Sequence, residues 1–375
     1  MTASTAPWTG EVAGLPPNGF THLHALLATV RGTTQTYPLT PVRTTVGYQS
    51  SRTPRVVATL EVAWPDADTM SQLNPRNGLR VQVTAGYKIG TSTRTDVAQL
   101  CDLMVTDVVR DYIAQTVTLT ACSDEVGPIN YAAEVLYTYS AGDSIITAIK
   151  AVIADAFPGD TLTWDTTAAD GTSVFQAAQR IEIGEDRWDA VTDWADTIGM
   201  KVWHDGDGTW VLGAQPASPA ASSILNLVVG PTGQTSGLVI TDTLDGWGNR
   251  AAVVYEYKSG TSAATVTTSG AVATTGELPP RMVVVERKRK PDRPQQAART
   301  ALRRALRRGH TVEVTATAYY WVRPGDTITQ EVPGGGSQRL LLETVTFQLH
   351  AGQMAVTSQV TSAAPLASIT SSALP

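Results

Sequence analysis

The residues best suited to chemistry form an arginine-rich segment in the second half of the chain, where cations could bind phosphates or carboxylates. Four consecutive cations, Arg287 to Lys290, precede a stretch whose spacing predicts a helix over residues 294–308. At about 100° per residue, apolar side chains fill one arc of this helix and arginines fill the other. The arginine face consists of Arg299, Arg303, Arg304, Arg307 and Arg308.

Three interpretations of this arginine face differ in the partner that it meets: water, an acidic protein surface or nucleic acid. The chain carries 28 Lys and Arg against 34 Asp and Glu, a net charge of −6. Nucleic-acid-binding domains are usually basic, and proteins that bind single strands interleave aromatic side chains with their cations. No aromatic residue stands within residues 294–308. The sequence therefore favours a solvated face, or an interface with an acidic neighbour, over sequence-specific binding of DNA.

The sequence contains no GxSxG, HExxH or SxxK motif for nucleophilic or metal-dependent catalysis. Asp205–Gly208 begins like a calcium loop, but Thr209 and Trp210 stand where that loop needs Asp or Asn and then Gly. Gly334–Gly336 lacks the Lys and Ser or Thr of a phosphate loop, so both segments are predicted to be turns. We expect no cofactor, no metal and no enzymatic activity. Carboxylates that pair only in space leave no such motif, so a hydrolase stays open as an alternative.

Cysteines and histidines are too dispersed to predict a metal site. Cys101 and Cys122 lie on two strands that are predicted to form a hairpin, and neither belongs to a CxxC pair. We interpret both as small buried residues of the core. His22 and His24 alternate along a predicted strand and could share one face, but no further ligands cluster with them.

Period-two alternation of apolar residues predicts strands throughout residues 1–130, which we assign to a first β-barrel-like domain. Thr and Val are frequent in the chain and only 4 residues are Phe, which favours strands over helix bundles. The predicted strands are His24–Arg31, Arg55–Trp64, Leu79–Tyr87, Val97–Val108 and Gln115–Cys122.

A change to helical spacing marks a small α/β domain over residues 131–216. Asp143 is predicted to cap a first helix, and Glu185 and Asp186 to open a second. Gly199 ends the second helix, and a β-hairpin follows with Asp205–Gly208 as its turn. The apolar face of the second helix, with two tryptophans as expected core anchors, is Trp188, Val191, Trp194, Ala195 and Ile198.

Residues 217–375 are assigned to a second β-barrel-like domain, which the arginine-rich helix interrupts. Ser259–Thr275 lacks periodicity and is predicted to be a long exposed hairpin or a mobile loop. The chain is therefore predicted to be mainly β with an α+β insertion: two β-barrel-like domains plus a small α/β domain. The strands predicted in this region are Gly237–Thr241, Ala251–Tyr257, Met282–Glu286, His310–Tyr320, Asp326–Glu331, Arg339–Leu349 and Met354–Val360.

Three segments, in this order, resemble the hub proteins of the baseplates and tail tips of long-tailed phages. Residues 58–87 with 116–125 are similar to the opening barrel of minor tail proteins from phages of actinobacteria. Residues 186–212 resemble the hub's α/β domain, with a Trp-bearing helix, a Gly stop and an Asp/Gly hairpin. Residues 298–357 resemble the second barrel, in which an Arg-Pro-Gly-Asp turn precedes a strand. The turn residues expected to be structural are Pro324, Gly325 and Asp326.

This resemblance implies a structural component of a phage tail tip. The chain would form a hub ring, expected to be a homotrimer, that joins the tail tube and distal tail ring to the tip and lets DNA pass without specific binding. Implied partners are further copies of the chain, the distal tail ring protein, the tape measure protein, and tail fibre and tip proteins. The chain is expected in the virion after assembly in the host cytoplasm. No membrane insertion is expected, since no run of about 18 apolar residues exists.

Two alternatives stay open beside the hub ring. One is a carbohydrate-binding or cell-wall-hydrolysing tail protein, which a cleft with two carboxylates about 5–10 Å apart would favour. The other is an adaptor that binds host receptors, which an exposed aromatic patch would favour. The chain ends soon after the second barrel, so the peptidase or lysozyme extensions of some relatives are expected to be missing.

A channel that passes DNA is expected to have neutral or acidic walls, because cationic walls would bind phosphates and release counterions. The arginine face should then point outward or into a contact between subunits. Acidic residues in predicted turns are candidates for the channel wall: Asp66, Asp68, Asp124, Glu125, Asp205 and Asp207.

Reversing two charges of the arginine face should weaken assembly if its partner is acidic. Arg303 and Arg307 stand four residues apart, so both can reach the same surface. We expect Arg303→Glu with Arg307→Glu to reduce the yield of assembled particles, and high salt to weaken assembly of the unmodified protein. Particle yield by electron microscopy is the measurement, and normal assembly of the double variant would rule out this contact.

Overall fold

A computed structural model describes residues 20–361 with internal gaps. The gaps fall at residues 32, 90–94, 131, 167–172, 217, 231–232, 244–246, 249, 256–263, 269–281, 288–300, 303–304, 306–309 and 335. None of the helices in this described part is long and apolar enough to span a bilayer.

Seven strands, one short α-helix and one 3₁₀ helix (Pro75–Asn77) form the first β region. The strands are β1 (Phe20–Val30), β2 (Thr36–Leu39), β3 (Pro41–Gln49), β4 (Val56–Ala63), β5 (Leu79–Ile89), β6 (Thr95–Asp111) and β7 (Thr116–Cys122). Helix α1 (Ala67–Gln72) begins after Asp66, whose carboxylate accepts the Thr69 N–H at 2.8 Å. All pairs are antiparallel, in the order β2-β1-β5-β6-β7-β4-β3.

The predicted hairpin of β6 and β7 is confirmed, and it separates the two cysteines. Cys122 lies opposite Met104 within the hairpin, whereas Cys101 lies opposite Val83 of β5. Both thiols are buried and free. Burial raises the pKa of Cys101 to about 12, so this side chain behaves as a small neutral member of the core.

Alternating short strands and helices form the α/β unit. The elements are α2 (Val126–Asn130), β8 (Tyr137–Tyr139), α3 (Ile145–Ala154), β9 (Thr163–Asp165), β10 (Gln179–Ile181), α4 (Arg187–Thr197), β11 (Lys201–His204) and β12 (Thr209–Gly213). The predicted cap of the first helix is wrong: Ser144 caps α3, because its hydroxyl accepts the Thr147 N–H, while the Asp143 carboxylate accepts the Ser140 N–H. Asp186 caps α4 as predicted, accepting two backbone N–H groups.

The second β region contributes nine strands. They are β13 (Leu225–Leu227), β14 (Thr235–Asp242), β15 (Arg250–Tyr255), β16 (Ala264–Thr268), β17 (Met282–Arg287), β18 (His310–Thr317), β19 (Thr327–Val332), β20 (Gly336–Gln348) and β21 (Gln353–Thr361). Strands β15, β16 and β17 form a separate small sheet. Strand β16 lies within Ser259–Thr275 and pairs with β15, whereas the rest of that predicted loop lies outside the described residues.

Both β regions belong to one sheet of 13 strands, because β3 of the first pairs with β20 of the second. Thr45 lies opposite Gln348, and Gln49 lies opposite Thr344. One hydrophobic core draws residues from both regions, and a second core belongs to the α/β unit. The predicted fold class, mainly β with an α+β insertion, is confirmed. The ladders between the described strands, however, do not close either region into a separate barrel; in the second region only the bridge between Val229 and Thr235 links the end of β13 to the start of β14.

Replacing Trp194 with Ala should strongly destabilise the α/β unit. The indole is 3% exposed and meets the rings of Tyr139 and Phe175 edge-on, at centroid distances of 5.4 and 5.2 Å. Deleting a buried Trp side chain costs about 3–5 kcal/mol. We expect Trp194→Ala to lower the urea midpoint of unfolding accordingly, and the control Trp64→Ala, at a half-buried position, to lower it much less. Equal midpoints for Trp194→Ala and the unmodified chain would contradict this burial.

Candidate functional site

The turn of the β11–β12 hairpin fixes the α/β unit to the first β region. The Asp102 N–H donates to the carbonyl of Gly206 at 2.6 Å. Gly206 has φ +88°, and a Cβ there would lie 3.0 Å from Val56. A side chain at this position would therefore combine an unfavourable backbone conformation with crowding against β4.

A buried carboxylate lies directly beneath this turn. Glu125 is 1% exposed, and its Oε1 accepts the backbone N–H groups of Arg55 at 3.2 Å and His204 at 3.1 Å. The Nδ1 atom of His204 in turn accepts the Gly206 N–H at 3.3 Å. One carboxylate thus joins the start of β4 to the end of β11, which belong to different units.

A second group of charges links the sheet to the same junction. Arg80 donates to Asp102 at 2.9 Å and to Asp124 at 2.9 Å. The other carboxylate oxygen of Asp124 lies 3.6 Å from Nε2 of His204. These charged groups are partly or fully shielded from water, where hydrogen-bonded ion pairs are stronger than at the surface.

The Arg-Pro-Gly-Asp turn brings the second β region to this junction. Arg55 donates to the carbonyl of Pro324 at 3.0 Å and lies 4.5 Å above the ring of Trp203. Gly325 has φ +97° and donates to Leu342 at 2.8 Å. Asp326 accepts the Arg323 N–H at 2.8 Å. Burial lowers the pKa of Arg55 to about 10, which still leaves the guanidinium charged at neutral pH.

A separate aromatic contact joins β1 to the second β region. Nδ1 of His22 lies 3.0 Å from the hydroxyl of Tyr320, and the rings of Tyr87 and Tyr320 stack at 5.1 Å. Burial, and next the neighbouring His24, lower the pKa of His22 to about 4. His22 is therefore a neutral packing residue at physiological pH. Within the described residues, His, Cys, Asp and Glu form no group of three that could hold a metal ion.

Two cavities lie along the seams between the units. One of about 330 Å³ is lined by Glu125, Asp189 and Asp196 together with cations and hydroxyl groups. The other has a volume of about 510 Å³. It lies where the guanidinium of Arg31, in the first β region, forms a salt bridge of 2.9 Å with the carboxylate of Asp160 in the α/β unit. Three carboxylates in one cavity are relevant to the hydrolase alternative, which needs paired carboxylates. Glu125, however, binds two backbone N–H groups there and so holds the units together.

The predicted site residues fall into two groups. The expected structural residues lie in well-defined places: Trp188 and Trp194 are buried on α4, Gly199 follows α4 at φ +73°, and the Arg-Pro-Gly-Asp turn binds Arg55. The arginine face lies outside the described residues: Arg299, Arg303, Arg304, Arg307 and Arg308. From the apolar arc of the same segment, Ala301, Leu302 and Ala305 are helical and buried.

One candidate for the expected acidic channel wall, Glu125, is wrong, because its side chain is only 1% exposed. Asp124, Glu125 and Asp205 take part in the junction, where they bind Arg80 and backbone N–H groups within the chain. Sequence reasoning missed this because acids next to turn residues usually lie in solvent. Asp124 and Asp205 are partly exposed, Asp66, Asp68 and Asp207 are exposed, and all five stay predictions for the channel wall.

No protein-family model and no curated protein sequence matches this chain. Solved structures do match over most of its length. The tail protein from Neisseria meningitidis MC58 has a TM-score of 0.63 and 15% identity, covering 89% of this chain and 96% of its own. The 43 kDa tail protein of prophage MuSo2 from Shewanella oneidensis has a TM-score of 0.59 and 15% identity, covering 89% and 97%.

A third similar structure is a component of the type VI secretion system of E. coli, described as similar to the bacteriophage T4 tail proteins gp27 and gp5. Its TM-score is 0.51 at 10% identity, covering 88% of this chain and 76% of its own. At such low identities, these structural matches establish a shared fold and no more. The predicted resemblance to phage tail and hub proteins is thereby confirmed for the fold, whereas an actinobacterial source stays a prediction.

Replacing Asp205 with a neutral residue should remove a pH-dependent loss of stability at the junction. Burial, and next the hydrogen bond and repulsion of Asp207, raise the pKa of Asp205 above its ordinary range. The folded state then holds the proton more tightly than the unfolded state, so the free energy of unfolding falls as pH rises above about 4. Asp205→Asn keeps an oxygen for the N–H groups of Asp207 and Thr209. We expect it to stabilise the chain at pH 8 more than at pH 5.

Urea unfolding at pH 5, 7 and 8 measures this effect. Asp68→Asn removes one exposed acid and serves as the control for net charge. Parallel pH profiles for Asp205→Asn and the unmodified chain would contradict a protonated Asp205 in the folded state.

Proposed function

We propose that the chain is a structural component of a phage tail tip. It forms a hub-like homotrimeric ring that joins the tail tube and distal tail ring to the tip and lets DNA pass. The observation that carries this proposal is the fold match, which covers 89% of this chain and 96% and 97% of two tail proteins, one of them from a prophage. Function is carried over from fold by analogy here, so the site geometry must support it independently.

The junction supplies that independent support. Its charged side chains bind backbone groups and each other across unit boundaries, so they hold the units in one arrangement. Such a rigid body suits a ring that must keep a channel open. The proposed division is into residues 1–130, 131–216 and 217–375. The second hydrophobic core supports the middle unit, whereas the first and third share one core.

Three copies with two β regions each would present six β modules around an axis. This number matches a six-fold tail tube to a three-fold tip, through head-to-tail contacts that close by rotation. The arginine face of residues 294–308 is assigned to contacts between subunits, leaving the channel wall neutral or acidic. The partners in this proposal are the distal tail ring, tape measure, and tail fibre and tip proteins, within a virion assembled in the host cytoplasm.

One surface feature favours a second candidate function, an adaptor that binds a host receptor. Tyr112 and Ile113, at the tip of the β6–β7 hairpin, are 69% and 97% exposed. The tip is ordered, because the Asp111 carboxylate accepts the N–H groups of Ile113 and Ala114, and Trp64 packs on Tyr112 at 5.0 Å. A rigid aromatic tip of this kind is a typical anchor in protein recognition.

A cryo-electron microscopy map of the assembled tail separates these functions. The hub proposal expects three copies of the chain in a closed ring around the axis, with Arg303 and Arg307 away from the bore. Copies attached outside the tube with the Tyr112 tip facing solvent would replace the hub with the adaptor. A closed ring with Arg303 and Arg307 on the bore would keep the hub but make DNA contact the role of that face.

A further inference from the structure

The cavity of about 330 Å³ between the first β region and the α/β unit, called the seam cavity below, contains a buried acceptor without a donor. Glu125 lines this cavity and is 1% exposed. Its Oε1 atom accepts two backbone N–H groups, whereas its Oε2 atom has no hydrogen-bond partner among the described residues. An unpaired buried carboxylate oxygen costs free energy, so a ligand that brings a donor would be stabilised here.

The charges around the seam cavity cancel, which selects the kind of ligand. Three carboxylates and three cations line it: Glu125, Asp189 and Asp196, and Arg52, Arg55 and Lys201. An added ion would gain no net attraction from this set, and it would lose its hydration, which costs more than burying a neutral polar group. The lining therefore favours a neutral ligand over a cation or an anion.

Glu125 and Arg52 together require ligand groups that can both donate and accept. The Arg52 guanidinium donates to the carbonyls of Pro54 and Gly47, each at 3.2 Å, which uses two of its five N–H donors. Burial lowers the pKa of Arg52, and Cys122 and Glu125 raise it, so the carboxylate lies within electrostatic reach of the guanidinium. A hydroxyl is a neutral group that donates to a carboxylate and accepts from a guanidinium.

The size and position of the seam cavity fit a molecule of monosaccharide size. Its volume is at the small end of the range for small-molecule sites, about 300–1,000 Å³, and such sites often lie between domains. Ser51 and Thr53 line the cavity and are exposed, so it is open to solvent on their side. Trp188 and Val202 give it an apolar wall, against which the C–H face of a sugar ring can pack.

We propose that the seam cavity binds a neutral sugar or a related polyol. One ligand hydroxyl donates to Oε2 of Glu125, a second oxygen accepts from the guanidinium of Arg52, and the ring packs against Trp188. The bound ligand contacts both units that Glu125 joins, so it stabilises the folded chain. This binding site is additional to the hub function and does not depend on it.

Saturation-transfer NMR of the full-length chain with glucose, N-acetylglucosamine and glycerol tests this site. We expect millimolar binding of at least one of them, because the ligand is small and makes few polar contacts. Glu125→Gln keeps an oxygen for the two backbone N–H groups but replaces Oε2 with a donor, so it should weaken binding by about tenfold or more. The matched control is Glu134→Gln, the same change at an exposed glutamate of the α/β unit, which should leave binding unchanged.

A second variant tests the site from outside the junction. Ser51→Trp places a large side chain at the exposed rim and should block binding, which keeps the proposal testable if Glu125→Gln fails to fold. Binding that persists unchanged in Ser51→Trp and in a folded Glu125→Gln chain would locate the ligand elsewhere and overturn the proposal.

Two charged sugars test the neutrality of the ligand. Tighter binding of glucosamine, whose amine is protonated at neutral pH, or of glucuronate than of glucose would contradict the charge balance and overturn the assignment. No binding of any of the three neutral probes would leave ordered water as the occupant of the cavity and would also overturn it. None of these outcomes affects the ring proposal, whose test is the map of the assembled tail.

Discussion

The backbone ladder between β3 and β20 is the interaction on which the rest of this fold depends. It turns two strand sets from opposite ends of the sequence into one sheet, so that one hydrophobic core can draw on both. Thr44, Val46 and Tyr48 of β3 are buried on the core face, and Val345 and Phe347 of β20 are buried beside them. Without this ladder each region would expose an apolar face and an unpaired edge.

The charged junction adds specificity to this apolar core. Burying Glu125, Arg55 and His204 costs solvation energy, and hydrophobic residues of similar size often give equal or greater stability. A carboxylate that must accept two backbone N–H groups from different units tolerates only one relative placement of those units. The junction thus selects one arrangement of the α/β unit relative to the sheet.

The sequence predicted the strands with strong alternation and the helix that carries Trp188 and Trp194, because local spacing and capping determine such elements. It missed β2 and β3, since Pro38 and Pro41 together with several threonines look like a loop. Buried Val46 lies opposite Phe347 of β20, about 300 residues away, which no local pattern contains. The same holds for the junction: nothing near Glu125 in the sequence shows that its carboxylate binds the N–H groups of Arg55 and His204.

The distance in sequence between β3 and β20 has a consequence during synthesis. Gln49 and Thr344 are paired, so the ribosome must add about 295 further residues after β3 before the partner strand is synthesised. At about 5–20 residues per second, that wait lasts roughly 15–60 s. Throughout it, β3 has β4 on one side and an open edge on the other. Nascent chains on neighbouring ribosomes therefore compete with β20 for that edge, and the yield of folded subunits depends on how fast each message is translated and how densely it is loaded with ribosomes.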